Sequence, residues 1–215
     1  NGDNGDNGDN GDNGDNGDNG DDSSLVAVEC TTQMNDMAIQ TVANDYSSSS
    51  VAVGCSDGGL TEGYNEELAS DYSVSAGSLS FYHIGRNYID TVSKVDFLTP
   101  SNSDWTYSSI GAEESTANPY KLIEVSSNKA YLIRYNKSSV WIVDPSAASQ
   151  EQFKLGELDL SAYLVSSNID TEAGTETVRA TATDMTDAII IDGKLYIAMQ
   201  RLRNGQTGEG QYGPY

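Results

Sequence analysis

Seven successive Asn-Gly-Asp triplets run from Asn1 to Asp21, and Asp22 follows at once. Carboxylates at Asp3, Asp6, Asp9, Asp12, Asp15, Asp18, Asp21 and Asp22 alternate with the side-chain amides of Asn4, Asn7, Asn10, Asn13, Asn16 and Asn19, with no basic residue between them. Hard cations take such oxygens: Ca2+ binds about six to eight of them, from carboxylates, amides, backbone carbonyls and water. The glycines let backbone carbonyls come close as well. The spacing excludes two familiar calcium loops. A helix-loop-helix loop begun at Asp3 needs a bidentate glutamate where Gly14 stands. A nonapeptide β-roll needs regularly placed apolar residues, and the triplets contain none.

A period of three has its own geometry. In an extended left-handed helix the carboxylates line one edge about 9 Å apart, and one edge cannot encircle an ion. The expectation is therefore that Ca2+ bridges carboxylates of neighbouring copies, which repel one another until they are neutralised. Glycine at every third position from Gly2 to Gly20 also meets the collagen spacing rule. A stack of tight Asn-Gly turns is the other geometry left open. The plainer alternative is a solvated spacer, since like charges without apolar side chains keep an isolated segment extended.

The composition of the whole chain narrows the partners. Its 215 residues hold 33 acidic and 11 basic side chains, a net charge of −22. Nucleic acid and anionic membrane surfaces are poor partners for such a chain. No apolar run reaches the ~18 residues that a membrane span needs, so no membrane insertion is expected. The chain starts at Asn1 without an initiator methionine or an apolar leader, which reads as a processed protein or a fragment. Abundant Ser, Thr, Gly, Asn, Asp and Tyr with scarce Lys suit an exported protein, extracellular or at the cell surface. Cys30 and Cys55 are either a single disulfide or two buried thiols.

Catalytic constellations are thin. His83 is the only histidine, set between Tyr82 and Ile84 in a strand-like run, so it reads as structural. Any Ser/His/Asp arrangement would have to use it. Glu113-Glu114 has the residue types of a glycosidase pair, but carboxylates are too common here for that pairing to carry information. No nucleophile-elbow, P-loop or dinucleotide fingerprint occurs. The expectation is a protein that is not an enzyme. Trp105, Trp141, Tyr107, Tyr135 and Tyr163 suit a carbohydrate platform or, more simply, core and cross-strand packing. Asp57-Gly-Gly59 and Asp170-Thr-Glu172 are acidic loops, and Asn136-Lys-Ser138 matches a glycosylation sequon.

The elements that must position these residues are strands. The triplets stop at Asp22, so residues 1–22 are an appendage and 23–215 the folded part. Lys121 to Val125, Ala130 to Tyr135 and Val140 to Pro145, joined by short turns, predict an antiparallel meander. Ala188 to Asp192 and Leu195 to Met199 predict a hairpin across Asp192-Gly193. Phe81 to Arg86 and Val92 to Asp96 form a similar pair. The best helical spacing is at Asn35 to Tyr46, through Met37, Ile39, Val42 and Ala43. Tyr82, Tyr131 and Tyr196 recur at spacings of 49 and 65, as in repeated multi-strand blades. The fold expected is all-β: a propeller-like or related multi-hairpin antiparallel domain, with length for roughly four blades, hence either an incomplete ring or a different β-sandwich or stacked β-sheet arrangement.

The strings Asn118-Pro-Tyr-Lys-Leu122, Tyr131-Leu-Ile-Arg-Tyr135, Val140-Trp-Ile-Val-Asp-Pro145, Gly156-Glu-Leu-Asp-Leu-Ser-Ala-Tyr163 and Ile191-Asp-Gly-Lys-Leu-Tyr196 resemble uncharacterised propeller-like surface lipoproteins of anaerobic bacteria. That resemblance covers roughly residues 25–202. It implies a Gly/Asp/Asn-rich spacer ahead of the folded part. Two functions follow as expectations. The first is a structural protein that self-assembles with other copies of itself into an extracellular fibre or surface layer through Ca2+ bound by the repeat. The alternative is a monomeric surface lipoprotein whose β-propeller-like domain binds a ligand while the repeat is a passive spacer.

Overall fold

Alternating apolar and hydroxyl side chains, cut by Gly, Asn and Asp turns, make strands nearly everywhere. The computed structural model describes residues 36–55, 58–171 and 174–200. Its first sheet joins β1 (Met37–Val42), β2 (Ser49–Gly54) and β3 (Leu60–Glu67) in that order. The second holds β4 (Tyr72–Ala76), β5 (Ser80–Gly85), β6 (Thr91–Asp96) and β7 (Ser103–Ser108), and the third β8 (Pro119–Ser126), β9 (Lys129–Arg134), β10 (Ser139–Val143) and β11 (Lys154–Asp159). A hairpin of β12 (Ser166–Thr171) and β13 (Gly174–Arg179) precedes the last sheet, β14 (Met185–Ile191) and β15 (Lys194–Met199). Among the described residues all pairings are antiparallel between sequence neighbours, with one short helix, α1 (Gln150–Phe153), and a 3-10 turn at Ser161–Tyr163. The all-β expectation holds.

The meander and the Asp192-Gly193 hairpin form as the sequence predicts, the latter with both turn residues at positive φ (50° and 73°). A two-residue turn of that kind matches the strand twist. The helical reading of Asn35 to Tyr46 fails for its described part. Met37 to Val42 pair residue by residue with Gly54 to Ser49, and the β-branched Ile39, Thr41 and Val42 suit that pleated strand better than a helix.

Strands of the middle sheets send successive side chains to opposite neighbours. On β5, Phe81 packs with Val51 and Val53 of the first sheet, while Tyr82 and Ile84 pack with Leu122, Leu132 and Trp141 of the third. On β9, Leu132 turns to the second sheet and Ile133 to Met185 and Ala188 of the last. Each such side chain, fully buried, contributes about 1.5–3 kcal/mol. The sheets therefore stack face to face in chain order.

The tyrosine recurrence is a true register. Tyr82, Tyr131 and Tyr196 are each the third residue of the second strand of their sheet. The wider gap before Tyr196 contains the β12–β13 hairpin. A second repeat lay unread in the sequence. The residue after each second strand donates its N–H to the residue ahead of the first: Arg86 to Asp71 at 2.8 Å, Tyr135 to Asn118 at 2.9 Å, Gln200 to Asp184 at 2.9 Å. Asn118 and Asp184 hold this junction at positive φ, 49° and 51°, a conformation that Asn and Asp tolerate.

Candidate functional site

The first strands β4, β8 and β14 come together along one line. Ser73 Oγ on β4 donates to the Tyr120 carbonyl on β8 at 3.1 Å, and the Leu122 N–H donates to Ser75 Oγ at 3.1 Å. These serine rungs tie two sheet edges that share no strand ladder. Beside them opens a groove of about 510 Å3 lined by Val74, Ser75, Ala76, Ile123, Ala188 and Ile189, among others. It continues into a depression of about 380 Å3 against Lys121, Asp187, Tyr196 and Ala198. Ile189 and Tyr196 are half exposed there, at 56% and 52%.

The groove's charges are paired. Lys121 Nζ lies 2.5 Å from Asp187 Oδ1, and that contact holds the Asp187 carboxyl below its usual range. At the other mouth Glu124 accepts hydrogen bonds from the Ser78 N–H and Oγ and the Tyr82 hydroxyl. Burial pushes the Glu124 carboxyl up, but the Ser78 and Tyr82 donors outweigh it and the net shift is downward. A larger depression of about 650 Å3, at Thr41 to Ala43, Ser48 to Ser50 and Glu66 to Leu68, draws its lining from the first sheet and its flanks alone. No sheets converge on it.

The residues singled out in sequence are placed differently from one another. The whole Asn-Gly-Asp repeat, from Asp3 to Asp22, lies outside the described residues, as do Cys30, Asp57 and Glu172. Cys55 is disulfide-bonded, and the sequence contains one other cysteine, Cys30. His83 is 3% exposed and stacks on Tyr72, ring centroids 4.4 Å apart. Burial lowers its pKa to about 4. Burial, and after it Glu67, pushes the Tyr72 hydroxyl up to about 12. Neither ring is placed to move protons at neutral pH.

Glu113 and Glu114 line none of the three depressions described above. Glu114 Oε2 accepts from Arg134 Nη2 and from the Gly111 N–H at 2.6 Å, and Glu114 Oε1 lies 3.5 Å from Lys137 Nζ. Arg134 is fully buried with its guanidinium 4.1 Å above the Trp141 ring, and Lys154 Nζ lies 4.6 Å from the same ring. This is a clamp of the 109–118 loop onto the third sheet. The aromatic residues resolve toward packing: Trp105 stacks on Tyr107 at 4.6 Å, both meet Phe153, and Trp105 Nε1 donates to the Pro145 carbonyl. Tyr135 stacks on Tyr120 at 4.9 Å, with the Arg86 guanidinium 4.2 Å above the Tyr120 ring. Tyr163 is 59% exposed on the 3-10 turn.

Sequence reasoning missed the groove. Two of its walls, β8 and β14, were legible as strands, while β4 was not singled out. The signal was there in the alternation of Tyr72-Ser-Val-Ser-Ala76. Which strand of each sheet faces the others is not written in any one segment.

The fold defines an all-β protein of stacked, sequentially wound antiparallel sheets. No family model matches the chain, and no curated protein does. Among solved structures it is similar to BamB from Moraxella catarrhalis, at 13% identity and TM-score 0.46, over 81% of this chain and 46% of that one. It is similar also to a streptogramin B lyase, at 13% identity and TM-score 0.41, over 87% of this chain and 70% of that one. A catalytically inactive virginiamycin B lyase from Staphylococcus aureus with quinupristin gives 12% identity and TM-score 0.42, over 87% and 69%. The chain thus spans less than half the length of BamB. These are propeller-like proteins.

Proposed function

We propose that residues 23–215 are a non-catalytic binding module of propeller-like architecture, exposed at or beyond the cell surface, with its ligand in the groove between the first strands. The observation that carries this reading is the convergence of β4, β8 and β14 on one open groove of about 510 Å3, flanked by half-exposed Ile189 and Tyr196. Concave, mostly apolar sites with a few placed polar groups are where ligands bind. The non-catalytic reading is supported by His83 being buried under Tyr72 and by Glu114 being tied to Arg134 and Lys137. The disulfide at Cys55 suits an oxidising compartment.

Ligand-observed NMR of a fragment library tests the groove. Hits on the full chain should vanish for Ile189→Arg, whose site is exposed enough to take the larger side chain without refolding the sheet. Hits unchanged by that substitution would overturn the reading. In this proposal residues 1–22 are a spacer. Ca2+ at Asp3 to Asp22, and self-association through it, draw support from the repeat's sequence alone. Sedimentation of the full chain and of a form lacking residues 1–22, each with Ca2+ and with EDTA, separates connector from spacer: only a connector's assembly falls with chelation and with the deletion.

A further inference from the structure

The groove is bordered by main-chain groups that no strand pairs. In a hairpin closed by two residues the flanking pair is hydrogen-bonded, and successive pairs then alternate between bonded and open. Ile191 and Lys194 flank the Asp192-Gly193 turn, so Ala188 and Ile190 turn their N–H and C=O away from β15. On β4, the Gly77 N–H donates to the Ser80 carbonyl across a two-residue loop, so Val74 and Ala76 turn away from β5. On β8, Leu122 turns away from β9, as its bond to Ser75 Oγ shows, and Glu124 follows two residues on. All six residues line the same groove. Among their outward N–H groups, that of Leu122 is taken by Ser75 and that of Ala188 by Asp187.

We infer that the ligand is an extended polypeptide segment, running along the groove and supplying strand partners to these edges. This rests on the reading of the groove as the binding site and names its ligand class. Free groups on one strand edge recur every second residue, about 6.6–6.8 Å apart, which is the repeat of another strand. Strand addition of this kind draws affinity from main-chain bonds and specificity from alternate side chains. Val74, Ile123 and Ile189 offer apolar contacts for those alternate positions. The chain's net charge of −22 selects a neutral or basic segment over an acidic one.

The test uses the full chain and a small set of fluorescein-labelled decapeptides, flanked by lysine, with threonine alternating with Val, Ile, Leu or Tyr. Each has a twin carrying N-methyl groups on alternate amides, which keeps the side chains and removes the donors. The expected result is binding by at least one parent peptide, a tenfold or greater loss for its twin, and tenfold slower amide exchange at Glu124 and Ile190 on binding. Ile190→Pro, which deletes an outward N–H and leaves the β15 ladder intact, should weaken the parent peptide. Equal binding of parent and twin, or unprotected edge amides, would overturn the peptide assignment. If all peptides fail while fragment hits remain sensitive to Ile189→Arg, only this assignment falls; if both fail, the groove is not the site.

Discussion

Replacing Glu114 by glutamine removes one charge and almost no volume, and it should cost this protein a large share of its stability. The Arg134 side chain is 0% exposed, while that of Glu114, which accepts its hydrogen bond, is 25% exposed. The guanidinium's other direct contacts are the Trp141 face at 4.1 Å and Ser139 Oγ at 3.4 Å, and the carboxylates of Glu157 and Asp90 act on it more weakly than that of Glu114. Stripping one partner from a buried ion pair costs about 3–5 kcal/mol, because the remaining charge stays desolvated. Partial exposure of Glu114 and its shared contact with Lys137 bring this to about 2–4 kcal/mol. For a chain of this size that is a fall in Tm of roughly 5–15 °C. Urea unfolding at pH 7, followed by tryptophan fluorescence, reads it out, with Glu113→Gln as the exposed control. Pairing Glu114→Gln with Arg134→Met should recover most of the loss, since an apolar replacement of both partners removes the buried charge. A Glu114→Gln variant that melts within 1 °C of the Glu113→Gln control would refute the argument.

The other predictions concern pH and one buried carboxylate. His83 has its pKa lowered from 6.5 to about 4 by burial, so between those values the unfolded chain binds a proton that the folded chain refuses. Stability is whole above pH 6.5 and is lost as pH falls toward 4, by at most about 3 kcal/mol. His83→Phe, which keeps the stacked ring, should flatten that part of a plot of urea midpoint against pH; an unchanged slope would assign it to other groups. Asp90 is 1% exposed, and its Oδ1 accepts from the Ala117 N–H at 2.9 Å and the Asn118 N–H at 2.6 Å. Asp90→Ala leaves two buried donors unpaired and should cost about 2–4 kcal/mol, whereas Asp90→Asn, which can still accept, should cost less in the same denaturation assay.

How much was legible follows from where each signal lives. Tyr131-Leu-Ile-Arg-Tyr135 and Val140-Trp-Ile-Val143 announce themselves as strands because β-branched and aromatic residues sit between turn formers, a local property. Met37 to Val42 misled because Met37, Ile39 and Val42 fit a helical face as well as a pleated one, and only pairing with Ser49 to Gly54 separates them. The role of Glu114 was invisible: an acidic pair in a Ser- and Gly-rich loop looks like any other until Arg134, twenty residues away, closes on it. The chemistry that stands out most in the sequence, the carboxylate ladder from Asp3 to Asp22, lies outside the described residues.

The sequence by itself determined the all-β class, the hairpin turns, the tyrosine register and the acidic character, because each depends on residues within a few positions of one another or on simple composition. Tertiary structure alone decided that β4, β8 and β14 face a common groove, that Tyr82 and Phe81 serve different neighbours, and that Arg134 is buried and needs Glu114. Those facts arise when sheets stack. Stacking sets burial, and burial sets what a charge or an open strand edge is worth.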